Sequence, residues 1–215
     1  MKAHYLGHKL LHHSFSQGYF SIVFRLLFML SVLISPNIHA NESTKSVTIA
    51  TLFDYAPYCI ADTGFQSSQM LLPDENAVGF RGYSWDVLRE SFQYMGYSIH
   101  LKIVPWARAV SMVESSQVDI LFPTGVNKER TKIFYYSQES INSANFKVYI
   151  NKEAHLQWQG LESLKGLSIG VKRGFNYGDK WEAIAGVNIV NVTTILQGFK
   201  MLRAQRLDGF LGYET

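Results

Sequence analysis

Arg130 is the residue of this sequence best placed to recognise a charged molecule. It follows Asp119 by eleven residues and stands just past Pro123-Thr124-Gly125, which closes the apolar run Val118 to Phe122. A guanidinium presents a rigid fork of N–H donors that meets a carboxylate through two parallel hydrogen bonds. The competing reading of Arg130 is a solvated side chain capping the Lys128-Glu129 turn. Tyr58, after Pro57, and Trp106, after Pro105, are aromatic rings that can wall a cleft or equally serve a core. Catalytic patterns are missing: there is no paired acid and base, no Gly-x-Ser-x-Gly and no metal-ligand spacing. The single cysteine, Cys59, excludes an internal disulfide and reads as a small buried filler. His100 and His155 stand too far apart to suggest a local metal site, and no cofactor is implied.

The elements that must position these residues are strands alternating with helices. Val47 to Leu52 alternates like a half-buried strand, and Phe53 to Tyr58 turns into a loop. Ser84 to Met95 reads as a helix with Trp85, Leu88, Phe92 and Met95 inward, Ser84 as N-cap and Gly96 as its stop. Tyr97 to Ile103 is a strand, Pro105 to Ser116 a helix, and Val118 to Phe122 a buried strand at whose carboxyl end ligands dock in open α/β sheets. The alternation continues with a strand over Phe146 to Ile150, a short helix over Leu161 to Lys165 and a strand over Leu167 to Val171. A helix over Asp179 to Ala185, a strand over Val187 to Val192, a helix over Thr193 to Arg206 with Ile195, Leu196, Phe199 and Leu202 inward, and a strand from Asp208 complete it. This pattern is α/β with parallel sheets. Ala61 to Val78 is left as a long loop, of the kind that forms a rim or lid.

Residues 1–40 carry Lys2, Lys9 and Arg25, no acidic residue, and the apolar stretch Leu26 to Ile34 before Pro36 and Ala40. That order is a secretory signal peptide cut after Ala40, because nine apolar residues fall short of the roughly 20 that span a bilayer. The mature chain is then expected in the periplasm. The segment holds three of the 20 basic residues and none of the 17 acidic ones, so the remainder balances at 17 against 17. The basic character of the whole chain therefore gives no reason to expect nucleic acid as a partner.

In order, the sequence holds Val47-Thr-Ile-Ala with Ala56-Pro57-Tyr58, then Gly82-Tyr83-Ser84-Trp85-Asp86, Pro105-Trp106-Ala107-Arg108-Ala109, and Val118-Asp119-Ile120 leading to Glu129-Arg130. After these come Leu164-Lys165-Gly166, Arg173-Gly174-Phe175-Asn176-Tyr177-Gly178 and Arg206-Leu207-Asp208-Gly209. The series resembles the bacterial extracellular solute-binding proteins of family 3. The resemblance implies a type II periplasmic binding protein fold of two α/β lobes: residues 41–147 as the first lobe, 148–215 as the second, and one hinge near Lys147 to Ile150. It implies a monomer that binds a small polar solute, an amino acid or another small carboxylate, and delivers it to an ABC transporter permease in the inner membrane. Arg130, Thr124 and Gly125 would hold the ligand's anionic group, Tyr58 and Trp106 would wall it, and Asn176 and Tyr177, ahead of a helix N-terminus, would serve from the second lobe.

Two departures stand out. Where amino-acid receptors of this family place an aspartate for the ligand's ammonium, this chain has Tyr213, followed by Glu214 as the nearest substitute. The sequence also stops at Thr215, where a return crossing into the first lobe is expected, so the first lobe reads as incomplete. Relatives of the fold leave two alternatives open: a sensor module of an envelope protein, or a dehydratase. Asp86, Asp119 and Asp208 read as helix-end and turn carboxylates.

Overall fold

The computed structural model describes residues 45–214; the expected signal peptide and its cleavage site lie outside them. The first sheet is built from β1 (Lys45–Thr51), β4 (Ser68–Leu71), β6 (Tyr97–Ile103) and β7 (Ile120–Leu121), in the order β4-β6-β1-β7. β6 and β7 both run parallel to β1, while β4 pairs antiparallel with β6. Two helices pass between these strands, α1 (Tyr83–Tyr94) and α2 (Trp106–Glu114). A smaller sheet of β2 (Asp54–Tyr55), β3 (Cys59–Ala61) and β5 (Phe80–Arg81) sits over it.

The second sheet has the order β10-β9-β11-β8, from β8 (Asn145–Ile150), β9 (Ser168–Lys172), β10 (Asn188–Val192) and β11 (Gly209–Glu214). β10 and β11 run parallel to β9, and β8 is antiparallel to β11. Its helices are α3 (Asp179–Glu182) and α4 (Ile195–Arg203). The two sheets thus repeat one plan, with the first parallel strand between its two successors. The aspartates before β7 and β11 repeat it in detail. Asp119 accepts from the Thr48 N–H at 2.8 Å and Asp208 from the Ser168 N–H at 2.7 Å, each tying the start of a strand to its neighbour. Both therefore have the structural role expected of turn carboxylates.

The first core gathers the inward residues of β1 and β6 under α1, with Trp85 0% exposed and its indole N–H bonded to Asn76 Oδ1 at 2.9 Å. Truncating so large a buried ring would cost about 3–5 kcal/mol. Two clusters around Ile169 and Phe210 fill the second lobe.

Several expected elements differ. The helix expected from Ser84 begins at Tyr83, and its N-cap is Gly82, at φ 133°, where a Cβ would lie 2.4 Å from the Tyr58 carbonyl. Ser84 is buried instead and donates to Asn142 Oδ1 at 3.0 Å. The loop expected over Ala61 to Val78 contains β4, in which Gln69 and Leu71 are buried and Ser68 and Met70 exposed. Polar residues hid that alternation. Leu161 to Lys165 is a short 3₁₀ turn over Leu161–Leu164, and the helix expected over Asp179 to Ala185 is one turn, Asp179–Glu182. On α4, Leu196 points outward, whereas Phe199 lies at the edge of the core with its ring 5.0 Å from Phe210 and 5.2 Å from Tyr149; the Phe210 ring also presses on Gly198, which with Leu202 forms the buried face. Met95 is likewise exposed. The hinge expected near Lys147 to Ile150 falls inside the second sheet: β8 pairs with β11 from Asn145 to Ile150, so the crossing between the sheets lies upstream of Asn145.

Candidate functional site

Arg130 opens a 3₁₀ turn, Arg130–Lys132, whose position is fixed by its own N–H bonding to Asn127 Oδ1 at 2.8 Å. From there its guanidinium folds back on the loop after β7, with Nη1 3.0 Å from Thr124 Oγ1 and 3.5 Å from the Gly125 carbonyl. Trp106, at the first position of α2 and 3% exposed, lies beside it, 5.9 Å from guanidinium carbon to ring centroid. Desolvation lowers the Arg130 pKa, but a guanidinium stays charged in proteins.

The two side chains converge on one atom of the other lobe. Arg130 Nη2 donates to the Gly174 carbonyl at 3.0 Å and Trp106 Nε1 at 2.9 Å. Gly174 follows β9 at φ 78°, and a Cβ there would meet the Ala107 Cα at 3.0 Å. A side chain would therefore prop the lobes apart at the point where Arg130 and Trp106 reach across.

Between the lobes beside this contact lies a cavity of about 190 Å³, lined by Thr124, Gly125, Arg130, Trp106 and Asn176 among the expected residues. Tyr55, Phe146, Phe175 and Tyr213 supply most of the remaining wall, with Asn142. Tyr213 is central, its ring centroid 4.5 Å from Tyr55, 5.1 Å from Phe146 and 5.5 Å from Phe175. A wider outer cavity of about 560 Å³ shares Val126 and Gly178 and carries Lys128, Asp179 and Lys180 on its wall.

Three expected residues fall outside the inner cavity. Tyr58 turns its hydroxyl to the Ser143 carbonyl at 3.0 Å and packs behind Tyr55. Tyr177 is buried, its hydroxyl accepting from the Lys172 N–H at 2.8 Å, and it lines the outer cavity but not the inner one. Glu214 is exposed and pairs with Lys147 at 3.2 Å. The helix N-terminus expected after Asn176 and Tyr177 is one turn long and carries Asp179 and Glu182 in it.

Sequence reading missed a second crossing between the lobes. Lys172, at the end of β9, donates its ammonium to Asp54 of β2, whose other oxygen accepts the Ile195 N–H at the start of α4 at 2.8 Å. Burial lowers the Lys172 pKa and Asp54 opposes that. The residues Val-Lys-Arg and Phe-Asp-Tyr carry no spacing that reveals such a pair. Burial also pushes the Tyr55 phenol and the Cys59 thiol up to about 12, and Tyr177 and Tyr213 higher still. Cys59 is fully buried, as a filler should be. Among the described residues no group of His, Cys, Asp or Glu could hold a metal ion, and no helix is long and apolar enough to cross a membrane.

Residues 47–205 match the model of the bacterial extracellular solute-binding proteins, family 3. No curated protein sequence matches significantly. Among solved structures, the holo ArgBP of T. maritima is similar at a TM-score of 0.65 and 17% identity, over 82% of this chain and 72% of that one. An amino acid ABC transporter substrate-binding protein of Streptococcus pneumoniae bound to L-arginine is similar at a TM-score of 0.63 and 17% identity, over 82% and 71%. An ancestral amino acid-binding protein, a precursor of cyclohexadienyl dehydratase, gives a TM-score of 0.63 at 16% identity, over 80% and 71%. At these identities the likeness shows the fold, two α/β lobes of the type II periplasmic binding protein class.

Proposed function

Because the chain belongs to the bacterial extracellular solute-binding proteins of family 3, we propose that it binds a small carboxylate-bearing solute, of the amino-acid size class, between its lobes. Delivery to an ABC transporter permease, and export to the periplasm by cleavage after Ala40, belong to the same reading. One observation carries it: Arg130 and Trp106 of one lobe both donate to the Gly174 carbonyl of the other, at the wall of the inner cavity. With that carbonyl held, the Arg130 N–H groups that have no partner among the described residues would meet a ligand carboxylate through charge-assisted hydrogen bonds and add a further link between the lobes. Arg130 is the one ionised side chain on the inner wall among the described residues, which favours holding an anion over the acid–base work of a dehydratase.

Ligand-driven closure tests the reading. Small-angle scattering of the protein with a panel of small carboxylates, and with the matching primary amides, should show a smaller radius of gyration for a carboxylate and no change for its amide. Contraction with both would remove Arg130 from the account.

A further inference from the structure

Resting on that reading, we infer that the ligand is a small carboxylate with a flat, apolar body and no ammonium group. The inner cavity is a box of five rings, Tyr55, Trp106, Phe146, Phe175 and Tyr213 with Arg130 at one side, and the described residues lining it include no carboxylate.

An ammonium taken out of water needs hydrogen-bond acceptors, up to three of them, or a compensating negative charge. Several acceptors at this wall already hold one or two donors, and no carboxylate among the described lining residues balances an ammonium. Gly174 O takes Arg130 and Trp106, and Gly125 O takes Arg130 and the Tyr136 hydroxyl at 3.1 Å. Asn142 Oδ1 takes Ser84, Asn176 Oδ1 takes the Gly178 N–H at 3.0 Å, and Thr124 Oγ1 takes Arg130. The Tyr213 carbonyl takes the Tyr149 hydroxyl at 2.5 Å. The nearest buried carboxylate, Asp54, is held by Lys172 and the Ile195 N–H. Asp179 faces the outer cavity, in solvent, with Lys128 and Lys180 on the same wall.

Donors remain in supply. Of the five guanidinium N–H groups, the Nε–H and one Nη2–H of Arg130 have no partner among the described residues. Such a wall suits an anionic head and a flat ring, which packs against aromatic faces and edges at centroid separations of 4.5–7 Å. The ring pairs already present have that spacing, 4.5 Å for Tyr55 with Tyr213 and 5.6 Å for Trp106 with Phe175. At about 190 Å³ the cavity is smaller than the roughly 300–1,000 Å³ of pockets for drug-sized molecules, so the ligand is small.

Calorimetric titration of the protein with 3-phenylpropionate, L-phenylalanine and L-arginine tests this. The first two share ring, chain length and carboxylate and differ by the ammonium. An unmatched buried charge should weaken L-phenylalanine relative to 3-phenylpropionate by about tenfold to a hundredfold, with L-arginine weaker again. A Tyr213→Asp variant, checked for native unfolding, should move the preference toward L-phenylalanine, and Tyr213→Phe should keep it with 3-phenylpropionate. Equal or tighter binding of either amino acid by the wild-type protein overturns the inference and leaves the carboxylate reading standing. Failure of all three carboxylates to bind overturns both.

Discussion

Lys172 of the second lobe and Asp54 of the first form an ion pair in which the lysine is 1% exposed. Asp54 also accepts the first free N–H of α4, so one carboxylate joins β2, β9 and a helix start. Removing a single partner strands a buried charge. Asp54→Ala should lose about 3–5 kcal/mol of stability in urea unfolding, and a paired Asp54→Leu, Lys172→Met replacement should recover most of it. A loss below about 1 kcal/mol in the single variant would show the pair to be solvated.

Gly174 is where the second lobe comes nearest α2. Its positive φ and the 3.0 Å approach to Ala107 leave no room for a side chain. Gly174→Val should therefore weaken ligand binding by an order of magnitude or more and also lower the unfolding midpoint, because a β-branched residue is strained at positive φ and the lobes already meet here. An unchanged affinity in the same titration would mean that the lobes close elsewhere.

Alkaline pH should destabilise the fold through its buried phenols. Tyr55 is raised from 10.0 to about 12 by desolvation, and Tyr177 and Tyr213 shift the same way. A phenol whose folded pKa is raised keeps its proton after the unfolded chain has lost it. Its contribution is full below pH 10.0 and falls as pH climbs from there toward about 12. Unfolding free energy measured across that window should decline, and Tyr55→Phe should make the decline shallower. An identical slope in the variant would contradict the burial argument.

Trp106→Phe keeps a ring in the cleft but removes the Nε1 donor to Gly174. The expected loss is about 0.5–1.5 kcal/mol in unfolding, the worth of one ordinary hydrogen bond. A loss above 3 kcal/mol would assign Trp106 to core packing alone.

Legibility followed periodicity. β1, β6 and β9 alternate or run apolar over five to seven residues, and α1 carries Trp85 and Leu88 at helical spacing, so the lobes were readable. Arg130, Thr124, Gly125, Trp106 and Asn176 come together because each lies in a segment that follows a sheet strand, β7, β6 or β9, which fixes where that segment starts. What sequence did not disclose depends on distant pairings. Tyr55 rather than Tyr58 faces the cavity because β2 pairs with β3 and turns its ring inward, and Tyr213 rather than Glu214 does so because of the β8–β11 register. The Lys172–Asp54 pair spans 118 positions, which no local pattern encodes.

The most direct measurement is calorimetry of the wild-type, Arg130→Ala and Arg108→Ala proteins with whichever of 3-phenylpropionate and L-phenylalanine the wild type binds more tightly. Arg108 is exposed on α2 and away from the cavity. The predicted result is a loss of about 1.5–3 kcal/mol, on the order of tenfold to a hundredfold in Kd, for Arg130→Ala and less than about twofold for Arg108→Ala. Equal losses in the two variants, or none in Arg130→Ala, would contradict the assignment of Arg130 as the anchor of the ligand's carboxylate.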